Sequence, residues 1–265
     1  MSFALSLLSA CSLFSSEPAV EEAPKAVEKT QPKSETTTFK VATEQGDLTI
    51  TPVFHATLRV GFGDTVTVFD PWSKAELGDI QADYIFITDV HPDHMDPVAI
   101  RPLLKATTEI VAPPAVASDP KMADIAVKHV LANGTTATVG PFEVTAIPAY
   151  NLERGPKPGM VFHEKGRGNG YVLKVGGKSI YVAGDTECTD HMKQLANIDH
   201  AFLPVDRFTM TPGEAAECVL RFRPAAVTPT TYWKSDLAKF ENTLLPLEGM
   251  TTVQLADVYS TGAPY

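Results

Sequence analysis

The sequence predicts an α/β fold, a sheet-rich sandwich whose four layers run αββα, over residues 41–265. Three observations predict it. Short β-rich runs alternate with helical stretches from residue 41 onward, and this alternation fills two successive halves. No second-domain boundary separates the halves. At 265 residues and 44% hydrophobic, the chain can fill one sizeable core and not clearly two.

The elements follow in order. "DLTITPV", "HATLRVGF" and "DTVTVFDP" are consecutive β-rich runs and read as an antiparallel meander. "DYIFITD" is nearly continuous in apolar residues, as in a strand buried on both faces. Asp96-Pro97 supplies an N-cap and a first-turn proline for a helix through "VAIRPLLK". "TEIVAPP" reads as a strand and "PKMADIAVKH" as a short helix; "TATV" and "FEVTAIPAY" are strands. "GYVLKVGGKSIYVAGD" is a hairpin whose Gly176-Gly177 suits a tight primed turn. "DHMKQLAN" is helical and "HAFLPV" a strand. "TPGEAAECVLRFR" is a helix with Thr211 and Glu214 at capping-box spacing and Pro212 in the first turn. "AAVTPT", "SDLAKFENTLL" and "TTVQLAD" close the chain as strand, helix and strand.

The formal charge is −10 and the isoelectric point near 5.1. Lys and Arg are scattered singly, so no nucleic-acid footprint is expected. "LSAC", ending at Cys11, resembles a bacterial lipobox; it implies cleavage before Cys11, lipid attachment to its sulfur, and export to the periplasm or a membrane anchor, with a cytoplasmic protein as the alternative. Residues 12–40 are rich in Pro, Glu, Lys, Ser and Thr, a composition expected of a disordered tether. Cys188 and Cys218 form no C-x-x-C pair and no disulfide framework, so both are expected to serve packing.

The chemistry concentrates at strand ends. "DVHPDHMDP" places Asp89, His91, Asp93 and His94 directly after "YIFI". His163 lies in the long loop after "VTAIPAY", and Asp185 ends "SIYVAGD". Neighbouring strand ends converge at one rim of a sheet, so these imidazoles and carboxylates can meet around a cation. Their nitrogens and oxygens suit Zn2+, one or two ions, with Mn2+ or Fe2+ tolerated. His129, His191 and His200 are expected to be solvated or satisfied imidazoles. Asp70 is expected to orient the histidine-bearing loop through a hydrogen bond.

Motifs in one order carry a resemblance: "FHAT" with His55, "DPW" with Asp70, "DVHPDHMD", "AYN" with Tyr150 and Asn151, "FHEKGRGNGY" with His163, "AGDT" with Asp185, and "FTMTPGEAA". In these the chain resembles the metallo-β-lactamase-fold hydrolases, in the branch of ascorbate-lactone hydrolases and N-acyl-phosphatidylethanolamine phospholipase D. The resemblance implies one metal on Asp89, His91 and His163, a second on Asp93 and His94, and Asp185 bridging the two. It implies hydroxide generated at neutral pH for attack on an ester, lactone, amide or phosphodiester of a small-molecule or lipid-like substrate. Asp93, His55 and Tyr232 are the residues it points to for catalysis.

Two positions depart from the family pattern. Asp89 stands where the His-x-His-x-Asp-His motif begins with histidine, and "TPTTYW" puts Thr231 where the last family histidine falls. A threonine hydroxyl is a poor zinc ligand, so one tight ion and a weak or absent second are expected. The competing expectation is a catalytically silent relative that binds a metal or ligand.

Overall fold

The computed structural model describes Met1 and residues 37–265; Cys11 and the stretch 12–36 lie outside the described residues. Two seven-stranded sheets face each other. The first runs, in spatial and sequence order, through β1 (Phe39–Thr43), β2 (Gly46–Phe54), β3 (Thr57–Phe62), β4 (Thr65–Phe69), β5 (Tyr84–Phe86), β6 (Glu109–Ala112) and β7 (His129–Val130). The second contains β8 (Thr136–Val139), β9 (Phe142–Ala149), β10 (Gly168–Val175), β11 (Lys178–Val182), β12 (His200–Pro204), β13 (Ala226–Thr230) and β14 (Thr252–Val253). In each sheet the hairpin-linked strands are antiparallel. Those joined by crossovers, β4 to β7 and β11 to β14, are parallel. The core between the sheets is built from inward positions such as Leu48, Ile50, Phe69, Phe86, Phe142 and Tyr171.

The outer layers are helical. Helices α1 (Pro97–Leu103) and α2 (Pro114–Ala117) cover the first sheet through Ile100, Leu103 and Val116. On the second sheet lie α3 (Asp190–Lys193), α4 (Pro212–Phe222) and α5 (Leu237–Leu244), packed through Met192, Ala216, Val219 and Phe240. This is the αββα order expected. The Thr211–Glu214 capping box is present, Asp96 caps α1, and Gly176 and Gly177 turn the β10–β11 hairpin with φ of 53° and 76°. No helix among the described residues is long and apolar enough to cross a membrane.

Four expectations need correction. β1 begins at Phe39, inside the stretch read as a tether, because its alternating residues pair with β2 from Phe39↔Ile50 to Thr43↔Gly46. "PKMADIAVKH" makes only a 3-10 turn at Pro120–Met122; Lys128 N then donates to Ile110 O, and sheet pairing draws the chain into β7. "DYIFITD" ladders only over Tyr84–Phe86, since Thr88 turns away to bond Asp70 and Asn169. Cys188 and Cys218 are joined in a disulfide across a sequence separation of 30. Fold topology, which spacing alone does not reveal, brings the loop before α3 against α4.

Candidate metal centre

The parallel arrangement sends the C-terminal ends of β4, β5, β11 and β13 to one rim. There the chain leaves each strand with a chemically active residue: Asp70 after β4, the Asp89–His94 loop after β5, Asp185 after β11 and Thr231 after β13. Gly184 makes the approach possible. Its φ is 62°, and a Cβ there would come within 2.8 Å of the Thr88 side chain. Three non-glycine residues at the rim share the left-handed region: His55 (φ 53°), Asp70 (φ 43°) and Thr231 (φ 49°). Such strain persists only where the surroundings enforce it, and it clusters at functional sites.

Asp70 is buried and does what was expected of it. Its Oδ1 accepts from Thr88 N, and its Oδ2 accepts from Thr88 Oγ1 at 2.6 Å and from His94 Nδ1 at 2.7 Å. The His94 proton is thereby held on Nδ1, leaving the Nε2 lone pair free to bind a cation. That Nε2 faces Asp185 Oδ2 at 3.4 Å and Asp93 Oδ2 at 3.9 Å and makes no hydrogen bond. His163 is set the same way. Asn151 Oδ1 accepts from both its backbone N and its Nδ1, and its Nε2 faces Asp185 Oδ2 at 3.3 Å. Asp185 Oδ1 also makes no hydrogen bond.

Two imidazole lone pairs aimed at one carboxylate are repulsive unless a positive charge lies among them. Burial disfavours a proton on His94, but the charges of Asp185, Asp70 and Asp93 outweigh it and hold the imidazole well above its usual range. The field that would keep that proton would equally favour a metal ion at Nε2. His94, His163, Asp185 and Asp93 therefore bring nitrogen and oxygen donors whose charge and ligand chemistry suit a divalent cation, although they are less tightly gathered than Asp89, His91 and His163.

The set expected to hold the first metal, Asp89, His91 and His163, behaves differently. One donor atom from each of Asp89, His91 and His163 falls within 4.8 Å of the others. Yet Arg167 lies on it. Its Nε donates to Asp89 Oδ1 at 2.8 Å and its Nη2 to Asp89 Oδ2 at 2.9 Å, while Nη2 also meets His91 Nε2 at 3.3 Å and Phe162 O at 2.9 Å. His91 Nδ1 faces Asp89 Oδ2 at 3.0 Å. As they stand, Asp89 and His91 do not fit a metal: a guanidinium already takes both carboxylate oxygens and one imidazole nitrogen. Sequence reasoning missed Arg167. The signal was the arginine of "FHEKGRGNGY", a cation able to answer a carboxylate at position 89.

His55 and Asp93 form a relay at the same rim. Asp93 Oδ2 accepts from His55 Nε2 at 3.2 Å, and His55 Nδ1 accepts from the Tyr259 hydroxyl at 2.6 Å. The Tyr265 hydroxyl, which sequence reasoning also missed, donates to Asp93 Oδ2 at 3.1 Å. Burial alone would raise the Asp93 carboxyl, but the charge of His94 and the His55 hydrogen bond prevail and bring it down to about 2. Burial pushes the Tyr259 and Tyr265 hydroxyls well above their usual range, so both remain donors.

Tyr232, expected among the catalytic groups, is occupied elsewhere. Its hydroxyl donates to Ala256 O at 2.6 Å and accepts from Val258 N at 3.2 Å, which fastens the C-terminal segment that presents Tyr259 and Tyr265. Thr231 is buried, its hydroxyl makes no hydrogen bond, and it lines a void of about 10 Å³ together with Asp185 and Asp70. His129 pairs with Glu109 and His200 with Thr228, apart from the cluster as expected. Over the donors opens a cavity of about 260 Å³ walled by Phe162, Phe208, Arg207 and Tyr265.

Residues 49–231 match the beta-lactamase superfamily domain family. A UPF0173 metal-dependent hydrolase of Enterococcus faecalis is 32% identical over 191 residues, which span 67% of this chain and 83% of that protein. A Thermus thermophilus protein of the same description is 30% identical over 193 residues, 67% of this chain and 80% of that one. Among solved structures, one from Parabacteroides distasonis, assigned as a metal-dependent hydrolase, superposes with a TM-score of 0.75 and 32% identity over 84% of this chain and 99% of that chain. Igni18, a metallo hydrolase of Ignicoccus hospitalis, superposes with a TM-score of 0.64 at 20% identity, over 78% of this chain and 94% of that one, a likeness of fold.

Proposed function

Since this chain belongs to the beta-lactamase superfamily and its relatives are metal-dependent hydrolases, we propose that it hydrolyses an ester, lactone, amide or phosphodiester with a divalent ion held by His94, His163, Asp185 and Asp93. One observation carries the reading: the Nε2 atoms of His94 and His163 lie 3.4 and 3.3 Å from Asp185 Oδ2, with both Nδ1 atoms tied down behind them. Zn2+ matches these borderline N/O donors best, with Mn2+ or Fe2+ as substitutes. When bound, such an ion supplies Lewis acidity toward water and toward the oxygen of the scissile group.

The chain's own residues do the rest. Asp70 and Asn151 fix the tautomers of His94 and His163, so neither ring must reorganise. Asp93, held ionised, accepts a hydrogen bond from the attacking water and orients its lone pair toward the substrate. His55, backed by the Tyr259 hydroxyl, keeps the Asp93 carboxylate in place. Phe162 and Phe208, in edge contact at 5.2 Å between ring centres, give the cavity an apolar wall against which the hydrocarbon part of a substrate can pack. The modest volume suits a small molecule, or one end of a lipid-like one.

We place the protein outside the cytoplasm, anchored through a lipidated Cys11. The lipobox-like "LSAC" supports this, and so does the Cys188–Cys218 disulfide, since such bonds persist in oxidising compartments.

The test pairs elemental analysis of the purified protein with hydrolysis of generic ester and phosphodiester reporters, before and after chelation. Bound metal, turnover, loss on chelation and recovery with Zn2+ are expected. Turnover that survives complete removal of metal would overturn the reading.

A further inference from the structure

We propose that Arg167 is a resident cation that takes the place of one metal ion, so that the centre holds a single divalent ion on the His94 side. This rests on the metal-dependent reading above.

The geometry is that of a completed site. The Arg167 guanidinium meets Asp89 edge to edge, Nε on Oδ1 and Nη2 on Oδ2, at 2.8 and 2.9 Å. That fork uses the carboxylate lone pairs an ion would need and brings a positive charge of its own. Phe162 O receives a further bond from Nη2 and holds the arginine's free end. His91 is drawn in by both neighbours. With Nε2 against an obligate donor, its proton belongs on Nδ1, which lies 3.0 Å from Asp89 Oδ2. Neither nitrogen is then left for a metal.

Charge balance agrees. Asp89, Asp93 and Asp185 bring three negative charges to the cluster. Arg167 already answers the Asp89 charge, and a second ion on Asp89 and His91 would sit at contact distance from a guanidinium. The contrast within the site is equally direct. Both Asp89 oxygens and His91 Nε2 are hydrogen-bonded to Arg167, while His94 Nε2 and Asp185 Oδ1 are buried without a hydrogen bond. Position 89 is then explained by its partner: a carboxylate can receive the guanidinium fork, and an imidazole cannot. The Asp89–Arg167 pair works as a unit that replaces an imidazole and an ion.

The experiment counts ions on the full chain. Metal-free protein is titrated with Zn2+ by calorimetry, and the metal-to-protein ratio is read by elemental analysis after dialysis. One equivalent is expected. His94→Ala should lose it, and His91→Ala should keep it. Asp89→His/Arg167→Ser, which removes the resident charge and restores an imidazole, should take up a second equivalent, its folding checked by circular dichroism and thermal transition. Two tight equivalents in the unaltered protein would overturn the single-ion inference and leave the hydrolase reading standing; none would overturn both. Retention of the ion in His94→Ala with loss in His91→Ala would overturn the assignment of the side. A folded double variant that still stops at one equivalent would show that Arg167 is not what excludes the second ion.

Discussion

His94 Nδ1 and Asp70 Oδ2 lie 2.7 Å apart, both fully inside the protein, and that bond decides which His94 nitrogen is offered to the cleft. Asp70 also accepts from Thr88 N and Thr88 Oγ1, so its two oxygens are committed to three donors. Asp70→Asn leaves a single acceptor oxygen and strands one of them. The expected result is metal affinity roughly 10- to 100-fold weaker, measured by competition with a chromophoric chelator. Unchanged affinity would mean that the His94 tautomer is set by something else.

His55 touches Asp93 and Tyr259 but none of the donor nitrogens that face Asp185. His55→Gln is therefore expected to lower turnover of a reporter substrate by roughly 100-fold while metal content stays the same. A parallel loss of metal would show that Asp93 holds the ion only while His55 keeps its carboxylate in place.

The disulfide joins Cys188 and Cys218, closing a loop across a separation of 30. Restriction of the unfolded chain by a loop of that size contributes about 3–4 kcal/mol. Cys188→Ala/Cys218→Ala should lose that much in urea denaturation relative to the oxidised protein. The unaltered protein, unfolded without reductant, should show no titratable thiol from either position.

His200 is packed between Phe39 and Phe202, and burial brings its imidazole down to about 4. Its folded pKa lies below the unfolded value of about 6.5, so the unfolded chain binds the proton first. The contribution to stability is complete above pH 6.5 and is lost as the pH falls toward 4, roughly 3 kcal/mol in all. Denaturation midpoints at a series of pH values should show a shallower acid slope for His200→Gln than for the unaltered protein between those limits. Parallel slopes would contradict a buried neutral imidazole.

Sequence by itself determined the local terms. Alternating strands, the caps at Asp96 and Thr211, the Gly-Gly turn and the clustering of acids and imidazoles after "YIFI" are all set by neighbours a few residues apart. Motif order was enough to reach the superfamily; the metal set it implies also includes Asp89 and His91, which the fold pairs with Arg167. Only the tertiary structure decided what depends on side chains distant in sequence. It joined Cys188 to Cys218, turned the Tyr232 hydroxyl to the C-terminal segment, brought Tyr265 to Asp93, and laid Arg167 on Asp89 across 78 positions. A carboxylate written in a sequence is equally ready for a proton, an ion or a guanidinium, and the choice falls to whichever cation the folded chain brings within reach of its oxygens.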